Sequence, residues 1–222
     1  MNELNSETKL STQQYWDDVL AVAKLPRVNT PKAYHYKVTM DFIDAVLRKK
    51  GYSTLIEVGC GSSGWLPYFA GKYDLKVSGI DYSEVGCRLA EENLKMLGVN
   101  YDEIICKDIF EPECTGGKQY DVVMLDPPSF TKSRENIEKA VAGYKEINLR
   151  GMKLVKPGGF LVTSSCTNLV QPELFLDIIT MAARDARKKL RRVTFQAQSA
   201  DHPIVPGMEN TNYLKFLIVE VS

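Results

Sequence analysis

The stretch of sequence that decides the fold is TLIEVGCGSSG, residues 54–64. Its first five residues form a mostly apolar run typical of a buried strand, and three glycines with the spacing G-x-G-x-x-G follow directly. Glycine permits the tight turn and the close backbone approach that a ligand-binding loop needs at the start of a helix. We therefore expect a strand, a ligand-binding loop and a helix, in that order.

The same alternation continues after this stretch. Helix-length segments separate further strand-like runs, and this spacing predicts parallel strands joined by right-handed crossovers. The later predicted strands are KVSGID (76–81), YDEIICKD (101–108), YDVVMLD (120–126), FLVTSSC (160–166), RRVTFQAQS (191–199) and YLKFLIVEVS (213–222).

The helices are predicted from apolar positions at helical spacing. Two precede the first strand, in YWDDVLAVAKL and AYHYKVTMDFIDAVLRKKG. A longer helix runs from Ser133 to about Val155 and ends at a KPGG turn, and another spans PELFLDIITMAARDARKKL. We expect one compact unit, in which the helices of residues 1–50 pack on or cap a site in the domain formed by residues 51–222.

Composition excludes several classes of protein. Lys plus Arg and Asp plus Glu number 28 each, so no global field draws the protein to nucleic acid or to an anionic membrane. The 5 cysteines contain no C-x-x-C pair, which argues against a disulfide framework and against a zinc site. No stretch approaches the ~18 apolar residues of a membrane span. We expect a cytoplasmic protein with no membrane partner and no metal.

Acidic residues accompany the glycine loop. Glu57 directly precedes it, Asp81 ends the next strand, and Asp108 follows the third strand. A loop of this kind fits either a nicotinamide dinucleotide or S-adenosylmethionine, and in both an acid at the second strand suits ribose hydroxyls. Glu57 is an acid where a cationic group would need one, which favours S-adenosylmethionine.

Five features together resemble the class I S-adenosylmethionine-dependent methyltransferases. They are EVGCGSSG, the IDYS segment, the Lys107-Asp108 pair, the strand ending in Asp126 and the KPGG turn. The resemblance implies a Rossmann-like α/β fold: a seven-stranded, mostly parallel sheet with an antiparallel last strand and helices on both faces. It also implies S-adenosylmethionine as the cofactor.

Cofactor contacts are carried over from that family by position. Glu57, Gly59 and Gly61 would line the methionine end of the cofactor. Asp81 would hold the ribose, and Asp108 would contact the adenine.

The two halves of the chain resemble different relatives. DPPSF, GYKEINLRGMKLVKPGGFLVTSSC and QSADHPIVPGMENTNYLKFLIVEV are similar to the catalytic domain of bacterial large-subunit ribosomal RNA cytosine-5 methyltransferases. YWDDVLAVAKLPRV, LIEVGCGSSGWLPYFA and VSGIDYSEVGCRLAEENLKMLGV are similar to small class I enzymes that act on small molecules or proteins. The chain would then be a natural mosaic or an engineered chimera with its seam near DPPSF.

The resemblance places the methyl acceptor at the end of the fourth strand. For an amino-group acceptor, Asp126 and Pro127 would accept hydrogen bonds beside Pro128 while Phe130 stacks on a planar ring. For cytosine C5, a thiolate must first add to C6, and Cys166 occupies the position of the family's nucleophile.

Three functions stay open from sequence. The first is methylation of RNA cytosine, in which Asp126 binds the base edge and His202 contacts the substrate or assists proton removal. The others are methylation of a small molecule or protein, and a chimera that binds S-adenosylmethionine without transferase activity. Because the charge is balanced, RNA binding through Lys132, Arg134 and Lys139 should be weak, and the basic run 184–192 is expected to be a solvated face.

Overall fold

The computed structural model describes residues 13–29, 47, 51–131, 133–198 and 203–222. Most of the second predicted N-terminal helix lies outside these residues. Two short 3-10 turns occupy Arg134–Asn136 and Glu209–Thr211. The helices and strands along the chain are α1 (Gln13–Leu20), β1 (Thr54–Val58), α2 (Trp65–Tyr73), β2 (Lys76–Asp81), α3 (Glu84–Met96), β3 (Tyr101–Cys106), β4 (Tyr120–Leu125), α4 (Ile137–Leu154), β5 (Val155–Cys166), α5 (Pro172–Asp185), β6 (Leu190–Gln196) and β7 (Leu214–Val221).

The strands form one seven-stranded sheet in the order β3-β2-β1-β4-β5-β7-β6. Neighbours from β3 to β5 pair in parallel, whereas β7 runs antiparallel to both β5 and β6. This confirms the predicted sheet with its antiparallel last strand. Strands β2, β1 and β4 are parallel, so the loops after them leave the sheet at the same edge. The strand order reverses between β1 and β4.

Both faces of the sheet are covered by helices. On one face α2 and α3 bury Leu66, Phe69, Ala90 and Leu94 against alternate strand residues such as Leu55. The other face buries side chains of α4 and α5, among them Ala140, Tyr144, Ile147, Phe175 and Ile178, against strand residues such as Ile56, Val123 and Leu161. Successive strand residues thus face opposite cores, which explains why the central strands are almost continuously apolar.

The KPGG segment differs from its prediction. It does not end α4 as a separate turn, because β5 already begins at Val155, which pairs with Tyr120. The next pairing joins Val122 to Phe160, so KPGG forms an irregularity inside the strand ladder. A Cβ at Gly159 would lie 2.6 Å from a backbone oxygen of β4, so glycine is required there.

The helix that leads into the basic run 184–192 is shorter than predicted. The helix predicted to extend through ARKKL ends at Asp185, and Arg187 adopts a left-handed conformation with φ +55°. The chain then enters β6, where Leu190 pairs with Val221 and Val221 with Gly159. The basic run therefore lies at the sheet edge opposite the carboxyl ends of the parallel strands.

Candidate cofactor and acceptor site

The predicted site residues converge on one edge of the sheet. They lie at or just after the carboxyl ends of five parallel strands, and open α/β sheets bind ligands at this edge. Glu57, Gly59 and Gly61 belong to the end of β1 and its loop, Asp81 to β2, Asp108 to the loop after β3, Asp126, Pro127, Pro128 and Phe130 to the segment after β4, and Cys166 to the end of β5. His202 lies outside the described residues.

The glycine loop is fastened to the end of β2. Gly59 and Gly61 have φ values of +77° and +49°, a region that favours glycine. The Gly61 N–H donates to Asp81 Oδ2 at 2.8 Å, and the Ser83 N–H donates to Asp81 Oδ1 at 2.8 Å. Each carboxylate oxygen keeps a second lone pair, so Asp81 can also accept from a ribose hydroxyl on either oxygen.

Glu57 is a buried acid beneath this loop. Only 6% of its surface is exposed, and the Ser63 hydroxyl donates to Glu57 Oε2 at 2.6 Å. The pKa of Glu57 is raised to about 8, mainly by burial and also by the carboxylates of Asp126 and Asp81, while the Ser63 hydrogen bond and Arg27 act against the rise. A buried group of neighbouring carboxylates is stabilised by a cation, so this end of the site suits a positively charged ligand group.

Helix α1 covers the glycine loop. A Cβ added at Gly61 would lie 3.3 Å from Leu20 Cδ2, and one added at Gly86 would lie 3.0 Å from Leu20 Cδ1. The Ser83 hydroxyl also donates to Asp17 of α1. The segment that follows α1 therefore starts next to the glycine loop.

Asn93 ties that segment to the loop, a role that sequence reasoning missed. Its side chain accepts from the Arg27 N–H at 2.7 Å and donates to the Arg27 carbonyl at 2.7 Å and to the Ser63 carbonyl at 2.8 Å. Asn93 is fully buried in α3. An asparagine on the inner face of an otherwise amphipathic helix was the available signal, because buried amides require partners.

Asp108 lies on the exposed side of the same edge. Its Oδ1 accepts from the Phe110 N–H at 2.9 Å, which forms a tight turn after β3. The ring of Phe110 is 37% exposed and has Arg150 5.7 Å from its centre. The adenine contact assigned to Asp108 stays a prediction. The exposed ring of Phe110 beside it is a surface on which a planar base can stack.

The segment after β4 presents Asp126 to solvent. Its Oδ1 accepts from the Ser164 hydroxyl at 2.6 Å, which orients the carboxylate. Pro127 is buried, whereas Pro128 is exposed. Rigid proline backbone between an oriented acid and the following loop fixes where the carboxylate points.

Phe130 packs inward in this structure. Its ring meets Tyr144 edge-on, with ring centres 4.6 Å apart, and a Cβ at Gly143 would lie 3.3 Å from it. These contacts with α4 are those of a core residue. The predicted stacking of Phe130 on an acceptor stays a prediction.

Cys166 ends β5 beside a buried lysine. Burial raises the pKa of the Cys166 thiol, the Asp126 carboxylate raises it further, and Lys215 acts in the opposite direction. Lys215 lies on β7 and is only 2% exposed. Sequence reasoning missed Lys215, because a single lysine in a strand pattern gives no sign that its ammonium is buried.

Comparison with known proteins identifies a methyltransferase domain. Residues 55–151 match the family model of the methyltransferase domain. A ribosomal RNA large subunit methyltransferase I of Shewanella frigidimarina is 40% identical over 105 residues, which are 47% of this chain and 26% of that relative. Residues 55–151 thus form a methyltransferase domain, and the sheet order is that of the class I S-adenosylmethionine-dependent methyltransferases. The chain spans about a quarter of the length of the curated relatives it matches.

Solved structures share the fold of this class I methyltransferase. The N-methyltransferase NodS of Bradyrhizobium japonicum, in complex with S-adenosyl-L-homocysteine, is 13% identical with a TM-score of 0.57 and covers 94% of this chain and 97% of NodS. NSun6 of Pyrococcus horikoshii, solved with SFG, is 20% identical with a TM-score of 0.59 and covers 81% of this chain and 50% of NSun6. At these identities the likeness concerns the fold.

The residues of this methyltransferase fit the cofactor that its class uses. S-adenosylmethionine carries an ammonium and a sulfonium, and the buried acid Glu57 lies near the carboxylates of Asp81 and Asp126. Among the described residues, no cluster of histidine, cysteine and acidic side chains suits a metal ion. No helix in the described part of the chain has the length and apolar character needed to cross a bilayer.

Proposed function

We propose that this chain binds S-adenosylmethionine and transfers its methyl group to C5 of a cytosine in RNA. The observation that carries the proposal is the placement of Cys166 and Asp126 at the carboxyl ends of adjacent strands, where the charge of Asp126 acts on the thiol. The glycine loop and its acids lie one strand further along the same edge. The site thus offers a nucleophile, an acid and a cofactor loop to one cleft.

The cofactor would be held by residues of β1 and β2. Glu57 and the loop glycines would receive the methionine end, Asp81 the ribose and Asp108 the adenine. The bound cofactor supplies an electrophilic methyl carbon. The pairing of β1 with β4 supports this arrangement, because it places Val58, which precedes the glycine loop, beside Leu125, which precedes Asp126.

Cys166 would act as the nucleophile. Its thiolate would add to C6 of cytosine, and the displaced electron pair would make C5 nucleophilic enough to take the methyl group as the sulfur–methyl bond breaks and its electron pair returns to sulfur. The C5 proton then leaves to a base, and the Cys166–C6 bond breaks, which restores the aromatic ring and the thiolate. Asp126 would hydrogen-bond the base edge, held in place by Ser164.

A small-molecule or protein acceptor is the second candidate. It is favoured by α1, which packs on the glycine loop through Leu20 and thereby narrows access to the site. The position of the basic run 184–192 points the same way, because it lies at the opposite edge of the sheet and cannot hold RNA over the site.

The test is methyl transfer from radiolabelled S-adenosylmethionine to large-subunit ribosomal RNA and, separately, to metabolite and protein extracts. We expect label in RNA, its loss in Cys166→Ala, and unchanged cofactor binding of that variant by calorimetry. Cys106→Ala, at an exposed cysteine, is the matched control and should keep full activity. Full activity of Cys166→Ala would refute the covalent mechanism, and label only in extracts would favour the second candidate.

A further inference from the structure

Lys215 is a buried cation in strand β7. It is 2% exposed, and its Nζ donates to the backbone carbonyls of Thr167 and, at 3.0 Å, Tyr213. Within the described part of the chain it forms no ion pair with a carboxylate. A buried ammonium that has only neutral partners is unfavourable, and an apolar residue would suit a purely structural role better.

Lys215 lies next to Cys166 in the ladder between β5 and β7. Cys166 pairs with Leu214 across the two antiparallel strands, and Lys215 pairs with the preceding residue, Ser165. The two carbonyls that Lys215 binds belong to the residues next to this pair, Thr167 after Cys166 and Tyr213 before Leu214. One ammonium therefore joins the ends of both strands around the thiol.

Three charged or titratable groups act on this thiol from the elements packed around it. Asp126 follows β4, Tyr144 lies on α4 and Lys215 lies on β7. Asp126 disfavours the thiolate. Burial raises the pKa of Tyr144 to about 12, so its hydroxyl stays neutral at physiological pH. Lys215 is thus the cation that offsets the acid.

We propose that Lys215 is a positioning residue for Cys166, holding the end of β5 through the Thr167 carbonyl and stabilising the Cys166 thiolate with its ammonium. On ionisation the thiol proton passes to solvent. Burial lowers the pKa of Lys215 to about 8 and the charge of Cys166 acts against this shift, so the ammonium acts on the thiol below about pH 8. The inference rests on the proposed function, in which Cys166 is the nucleophile. A residue of β7 would then belong to the reaction site, although the sequence pattern around it gives no sign of that role.

The test measures alkylation of Cys166 by iodoacetamide in the full chain from about pH 6 to about pH 10, followed by peptide mass spectrometry. We expect Lys215→Met to slow Cys166 alkylation near pH 7, where Lys215 is charged, about tenfold and to shift its pH profile upward. Lys215→Gln, which keeps hydrogen-bond donors but lacks the charge, should shift the profile similarly, whereas Lys215→Arg should stay close to the unmodified protein. Lys118→Met, at an exposed lysine, is the control and should change nothing.

An unchanged Cys166 profile in a folded Lys215→Met or Lys215→Gln protein overturns the proposal. If Lys215→Met shows no cooperative thermal unfolding, Lys215→Gln decides. A small-molecule thiol added to each sample reports the reagent's own pH dependence. Alkylation needs neither cofactor nor acceptor, so its result is independent of methyl transfer. An active Cys166→Ala protein would refute the covalent mechanism without changing the Cys166 alkylation profiles of the Lys215 variants.

Discussion

The Ser63 hydroxyl donates a 2.6 Å hydrogen bond to the buried carboxyl of Glu57 and accepts one from the Leu66 N–H at 3.0 Å. One side chain thus connects the acid at the end of β1 with the first turn of α2. These two hydrogen bonds fix the glycine loop against the Glu57 carboxyl group, which is shielded from water.

Replacing Glu57 by glutamine should weaken cofactor binding and leave the fold intact. The amide occupies the same space but cannot compensate a ligand cation, so we expect the Kd for S-adenosylmethionine to rise about tenfold or more. Calorimetric titration measures this. Glu92→Gln, at an exposed position of α3, is the matched control. Equal affinities in the two variants would contradict the assigned role of Glu57.

The stability of the cofactor-free protein should fall as pH rises from about 5 to about 8. The pKa of Glu57 rises from 4.5 to about 8 on folding, mainly because of burial. Between these pH values the folded state binds more protons than the unfolded state. The stability that protonated Glu57 contributes is therefore fully present below the pKa of the unfolded state and is lost as pH rises through the pKa of the folded state. Urea unfolding across this range measures the trend, and Glu57→Gln should flatten it.

Gly61→Ala should destabilise the protein by about 1–2 kcal/mol. Gly61 has φ +49°, and the new Cβ would meet Leu20 of α1 at 3.3 Å. Gly71→Ala is the matched control, because its Cβ meets nothing within 4 Å and helix propensity predicts a gain of ~0.5–1 kcal/mol. Urea unfolding of both variants tests the difference, and a neutral Gly61→Ala would contradict the packing of α1 on the loop.

Asn93→Ala should release the segment that follows α1. Arg27 would lose the two backbone hydrogen bonds that Asn93 makes with it, at a cost of about 1–3 kcal/mol. We expect trypsin to cleave after Arg27 several times faster than in the unmodified protein. Asn100→Ala, at an exposed loop position, should leave the cleavage rate unchanged.

Asp126→Asn should make Cys166 more reactive while impairing methyl transfer. The Asp126 carboxylate raises the pKa of the Cys166 thiol, so the neutral amide lowers it and speeds alkylation near neutral pH. This sign is opposite to that expected for Lys215→Met. Alkylation kinetics followed by mass spectrometry check it, and slower alkylation in the variant would show that the carboxylate does not act on the thiol through charge.

Local pattern was sufficient for most of the fold. Strands β1, β2 and β4 occupy the segments predicted for them, since apolar runs bounded by glycine and acidic residues specify a strand without help from distant residues. One prediction was wrong because tertiary pairing overrode a local signal. The helix ends at Leu154, close to the predicted end, but KPGG is not a separate turn: pairing with β4 begins before it, so the segment lies inside a strand.

Side-chain environments were decided only by the tertiary structure. The sequence by itself determined the glycine loop, the acids at the strand ends and the cysteine that ends β5, because those positions follow from where strands end. The sheet order then set Cys166 opposite Leu214, one residue from Lys215 of β7, and the docking of α1 set Leu20 over Gly61. Such contacts join residues far apart in the chain, and their charge and burial depend on which elements become neighbours when the sheet forms.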